Sequence, residues 1–184
     1  IPALVTNIGN NAFGACSAIT SVVVDENNTV YDSRDNCNAI IETTENTLKF
    51  GCQNTIIPNN VTTIASNAFY GCENLASVEI PSSVTIIESY AFSGCSGLTT
   101  ITVDENNTMF DSRDNCNAII STYNDEIIVG CKTTVIPNTV TSISEYAFAE
   151  CRTLTSIEIP NSVTSIGQGA FMGCSGLTSI ELSS

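Results

Sequence analysis

Carboxylates and thiols are the groups here that could do chemistry: the 184 residues hold 19 Asp plus Glu and 9 Cys, with no His and no Trp. Without an imidazole, a Ser or Cys nucleophile lacks its usual base. Two carboxylates flanking one bond could still cleave a glycoside. The candidates Glu79 and Glu158 lie far apart in the chain, with nothing nearby to keep one of them protonated, so no enzyme is expected. Calcium would suit the oxygen-rich stretches from Asp25 to Asn36 (DENNTVYDSRDN) and from Asp104 to Asn115 (DENNTMFDSRDN). The EF-hand template fails in both, because its sixth position is Val30 or Met109 instead of Gly and its twelfth is Asn36 or Asn115 instead of Glu. Asp and Asn also close turns on their own backbone, and that role is expected here, without metal. Zinc is not expected either, for want of a Cys-x-x-Cys pair or any His. Cys16, Cys72, Cys95, Cys151 and Cys174 each follow an Ala-Phe pair by three residues and fall on the apolar rhythm, as a ladder of buried thiols would. Cys37 and Cys52, like Cys116 and Cys131, are placed symmetrically about a turn. Opposed strand positions would bring them near disulfide range, or Cys52 and Cys131 could join the ladder instead.

What must position these groups is a repeated coil, cleanest from Ile159 to Leu182 (IPNSVTSIGQGAFMGCSGLTSIEL). Its apolar spacing fits neither a long helix nor a long strand. It reads as a return segment after the Pro, a helical turn at Ala170-Phe171, and a short strand with Leu177, Ile180 and Leu182 inward. Counted at Ile1, Val24, Ile57, Ile80, Val103, Ile136, Ile159 and Leu182, the intervals are 23, 33, 23, 23, 33, 23 and 23 residues. A 79-residue unit of one enlarged and two plain coils therefore recurs. Each enlarged coil carries two apolar runs facing each other as a hairpin, NAIIET with TLKFG and NAIIST with EIIVG. Such coils need neighbours to bury their edges, so residues 1–184 are expected to form one array.

Alternation along the strands turns one row outward at Ser21, Asn54, Ser77, Thr100, Thr133, Ser156 and Ser179. The next outward row is Val23, Ile56, Glu79, Thr102, Val135, Glu158 and Glu181. Solenoids generally bind ligands on this face. The candidate binding residues are Glu79, Thr102, Val135, Ser156, Glu158, Ser179 and Glu181.

The string Ile-Pro, Val-x-x-Ile, Ala-Phe-x-x-Cys, Leu-x-x-Ile resembles the BspA-type leucine-rich repeat family along the whole chain. The resemblance implies a right-handed α/β solenoid, with a parallel sheet on one face and short helical turns or hairpins on the other. It implies a cell-surface or secreted protein that binds a host or extracellular-matrix protein or glycan. It carries over no catalytic residue and no cofactor. The enlarged coils depart from the plain repeat and resemble a hairpin-bearing variant. A structural spacer carrying other domains is the alternative, favoured by the near-identity of the two units. Neither end bears a polar cap, so an excerpt of a longer protein is expected, and the missing signal peptide says little about localisation. A net charge of −14 argues against nucleic acid and against insertion into anionic membranes.

Overall fold

A computed structural model describes residues 1–183. Its coils hinge on proline. Pro2, Pro58, Pro81, Pro137 and Pro160 each accept a hydrogen bond at the carbonyl from the amide three residues on, always a Val. Having no N–H, proline ends a strand ladder without leaving a donor unpaired. After each later turn comes a two-residue strand: β4 (Thr63–Ile64), β6 (Ile86–Ile87), β11 (Ser142–Ile143) and β13 (Ser165–Ile166). The Ala-Phe segment follows, and then a four-residue strand: β5 (Ser77–Ile80), β7 (Thr100–Val103), β12 (Ser156–Ile159) or β14 (Ser179–Leu182). The enlarged coils supply β1 (Tyr31–Asp32), β2 (Ala39–Glu42) and β3 (Thr47–Gly51), then β8 (Phe110–Asp111), β9 (Ala118–Ser121) and β10 (Glu126–Gly130).

These strands form two mixed five-stranded sheets, β1-β2-β3-β4-β6 and β8-β9-β10-β11-β13. In each, the hairpin strands pair antiparallel and the return strands add in parallel. The four-residue strands form only two separate parallel pairs, β5-β7 and β12-β14. The single parallel sheet expected from the sequence is therefore interrupted.

The expected helical turns are also absent, and the fold is a β-solenoid rather than α/β. Among the described residues the only helical segments are the 3₁₀ turns Arg34–Asn36 and Arg113–Asn115. The Ala-Phe segments do not become helical because alternate amides bond to the next coil. Phe69 N donates to Ala91 O and Gly71 N to Ser93 O, while Tyr70 N and Cys72 N close local turns on Asn67 and Phe69. Positive φ at Asn67 (60°), Tyr90 (62°) and Tyr146 (60°) breaks any helical run.

Nor do the hairpins lie on the far face. They sit inside the stack, buried on both sides. Ile41, Leu48 and Cys37 pack into one core cluster, whereas Ile40, Phe50 and Cys52 pack into its neighbour. The second hairpin divides the core likewise, with Ile119 and Val129 on one side and Ile120 and Ile127 on the other. Two buried faces explain the unbroken Ala-Ile-Ile runs where an exposed hairpin would alternate. Glycine is required where β3 crosses an aromatic ring: a Cβ on Gly51 would lie 2.2 Å from the Phe69 ring. Ile180 and Leu182, expected inward, remain exposed because β14 has a neighbour on one side only.

Candidate functional site

All seven residues of each outward row are exposed, as the alternation requires. In the paired strands they stand in register, with Ser156 opposite Ser179, Glu158 opposite Glu181, and Glu79 opposite Thr102. Elsewhere the rows part. Val135 N donates to Cys116 O and Ile56 N to Cys37 O, so these segments bond backwards to the hairpin coil. Among the described residues no backbone hydrogen bond joins 134–136 to β12, or 55–57 to β5.

The breaks leave two equivalent slots. The larger, about 450 Å³, brings together Val135, Ser156, Glu158 and Glu181 beside Asn138 and Pro160. Ser179 lies next to it through its pairing with Ser156. The other, about 330 Å³, holds Glu79 with Ile56, Ser77 and Asn59. Thr102 is set apart, in a recess shared with Ser112, Asn115 and Asn117. The candidates thus fall in three places, with the C-terminal acidic group the most concentrated. Within it, Ser183 Oγ hydrogen-bonds Glu158 Oε1.

The acidic loops spend their oxygens on the chain itself. Asp25 Oδ1 accepts from Asn27 N at 2.9 Å, and that backbone hydrogen bond lowers its pKa. Asp32 is gripped by Arg34, with Nη2 to Oδ2 at 2.6 Å, and Asp111 by Arg113 at 2.7 Å. No group of three or more possible metal-ligating side chains converges among the described residues.

The thiols are all unbridged. Cys52 does not face Cys37, because β3 carries a bulge at Lys49: Ile40 pairs with Phe50, but Ile41 pairs with Leu48. One extra residue reverses the side-chain faces beyond it, so Cys52 Sγ donates instead to Asn38 O at 3.4 Å. The second hairpin repeats the bulge, and Cys131 Sγ reaches Asn117 O at 3.3 Å. Burial pushes Cys72 up to about 11 and Cys151 up to about 12, and lifts Cys95 well above its ordinary value too. Such thiols are poor nucleophiles at neutral pH.

One feature had no signal in the periodicity. A cleft of about 240 Å³ opens where the two 79-residue units meet, lined by Phe92, Val129, Cys95 and Cys151. Tyr90 and Tyr146 stack across it with ring centroids 4.2 Å apart. Their hydroxyl contact pushes Tyr90 up to about 12. In the first unit Phe50 occupies the place of Val129 and meets Phe13 at 5.1 Å.

The profile of the BspA type leucine rich repeat region matches residues 1–49, 47–124 and 121–184, in six copies. The chain belongs to the BspA-type leucine-rich repeat family. A comparison with curated proteins finds no match. Among solved structures, this BspA-type chain is similar to a leucine-rich repeat protein from Eubacterium ventriosum, at 23% identity over 96% of this chain and 57% of that one, TM-score 0.59. It is also similar to a leucine rich cell surface protein from Faecalibacterium prausnitzii, at 24% identity over 98% of this chain and 59% of that one, TM-score 0.53. The pneumococcal vaccine antigen PcpA is similar at 21% identity over 66% of this chain and 31% of its own length, TM-score 0.53. The BspA-type chain therefore spans less than two thirds of each of these proteins, and the likeness to them is one of fold.

Proposed function

We propose that this BspA-type array is a non-enzymatic interaction module of the bacterial cell surface, binding a host or extracellular-matrix protein or glycan through its sheet face. The observation that carries the reading is the C-terminal slot, where exposed Val135 lies beside Glu158 and Glu181. An apolar wall beside two in-register carboxylates offers a basic partner both contact area and attraction. A net charge of −14 extends that field and makes capture dependent on salt. Cell-surface display is supported by the family and by the description of the Faecalibacterium protein. No helix among the described residues is long and apolar enough to cross a membrane.

The test is a screen of the chain against matrix proteins and glycans, followed by the pair Glu158→Lys and Glu181→Lys. Both side chains are exposed, so folding should survive. Binding to any captured ligand should fall sharply. Undiminished binding by the folded double variant would move the site off this face, and failure of the parent to bind any ligand would favour a spacer.

A further inference from the structure

We infer that the two slots take extended basic peptide segments as added β-strands, one per slot. The inference rests on the sheet-face reading above and specifies how a partner is held. Just before β12, Thr155 O accepts from Thr178 N at 2.9 Å, and at its end Ile159 O accepts from Ser183 N at 3.1 Å. Odd-numbered residues therefore turn their backbone groups to β14. Backbone direction alternates along a strand, so Ser156 and Glu158 turn theirs into the slot. No described residue bonds them there. On the opposite rim Val135 N is committed to Cys116 O at 3.0 Å, which leaves Ile136 on the slot side.

The first unit repeats the arrangement. Ala76 O and Ile80 O serve β7 through Thr99 N and Asp104 N, freeing Ser77 and Glu79 toward the slot, and Ile56 N is committed to Cys37 O. Each slot thus has a strand edge with unpaired donors and acceptors, a ready template for strand addition. The side chains select the occupant. Glu79 stands on one free edge, and Glu158, with Glu181 beside it, on the other, while Ile56 and Val135 are about three-quarters exposed on the facing rims. In an added strand, alternate residues share a face, so a segment alternating basic and apolar residues would set its basic side chains outward beside Glu79 or Glu158, their stems along Ile56 or Val135, and turn its apolar ones inward. A second copy of this chain does not suit the slots, because it would bring carboxylate against carboxylate on a molecule of net charge −14.

The probe is a capped ten-residue peptide alternating Lys and Val, compared with the same peptide N-methylated at alternate residues. N-methylation keeps charge and side chains but removes the donors along one edge. Titration calorimetry should give two parent peptides per chain, with increased hydrogen-exchange protection at Ser77, Glu79, Ser156 and Glu158. The N-methylated peptide should bind at least about tenfold more weakly. Ser156→Pro removes a slot-facing N–H at the first residue of β12, where proline is tolerated, and should lower the stoichiometry to one. Equal binding of the two peptides overturns strand addition while leaving the acidic sheet-face reading intact. That reading falls separately, if the Glu158→Lys, Glu181→Lys variant keeps its ligand. No binding of the parent peptide at millimolar concentration also overturns the inference.

Discussion

Asn107 and Asn28 each use one carboxamide four times. Asn107 Nδ2 donates to Pro81 O and Val84 O at 2.8 and 3.0 Å, and its Oδ1 accepts from Met109 N and Phe110 N, both at 2.9 Å. Asn28 does the same with Pro2, Val5, Val30 and Tyr31. The amide's full bonding capacity is met, and it ties each hairpin coil to the coil before it. Asn107→Ala, which strands buried partners, should cost about 1–3 kcal/mol, read as a lower denaturant midpoint at unchanged slope. The sequence marks these residues only as turn formers, because their partners lie 23 and 26 residues upstream in another coil. The thiols make a second residue-scale prediction. Burial raises the folded pKa of Cys72 to about 11 and of Cys151 to about 12 from 9.0, so both favour the neutral form in the fold. Their contribution is complete below pH 9 and is lost as pH rises through those values. Melting temperature should accordingly drop between pH 9 and pH 12. In a native thiol assay, exposed Cys16 should react ahead of the other eight, and denaturant should reveal nine.

At the scale of the element, the hairpin and its pairing of Ile41 with Leu48 are legible from two facing apolar runs. The bulge is not, because Lys49 and its counterpart Ile128 carry none of the glycine that often marks one. That single residue decides which thiols meet. In the same way, alternation places every outward side chain correctly, yet the slots go unseen. Thr55-Ile56-Ile57 reads like any other strand of the array, and only its hydrogen bond back to Cys37 sets it apart. The cleft between units arises from the difference between Phe50 and Val129. Val129→Phe should fill it against Phe92 and stabilise the chain by about 0.5–2 kcal/mol, seen as a higher melting temperature. Destabilisation instead would mean the cleft cannot accept a ring without strain.

Across the whole molecule, the Ala-Phe side and the sheet side count their layers differently. Ala15 N reaches Tyr70 O, Gly71 N reaches Ser93 O, Gly94 N reaches Ala149 O, and Glu150 N reaches Met172 O. This side therefore bonds plain coils directly to one another, although Gly51 N and Gly130 N of the hairpins also reach Ala68 O and Ala147 O, and the hairpin strands pair with the return strands β4 and β11. Because the two units are built alike, removing residues 58–136 should join Ile57 to Pro137 with β3 meeting β11 as it now meets β4. The shortened chain should still melt in one cooperative transition by circular dichroism. A broad, non-cooperative melt would show that the units are not interchangeable. A pulling force along the stack would meet the slots as seams. Among the described residues no backbone bond crosses them on the sheet face, so the tension must run through the Ala-Phe side and the Thr62–Thr85 and Thr141–Thr164 contacts beyond the prolines. A chain stretched between two anchors would gape at these seams before any strand peeled away, and an extended partner lying in a seam would act as the stitch that closes it.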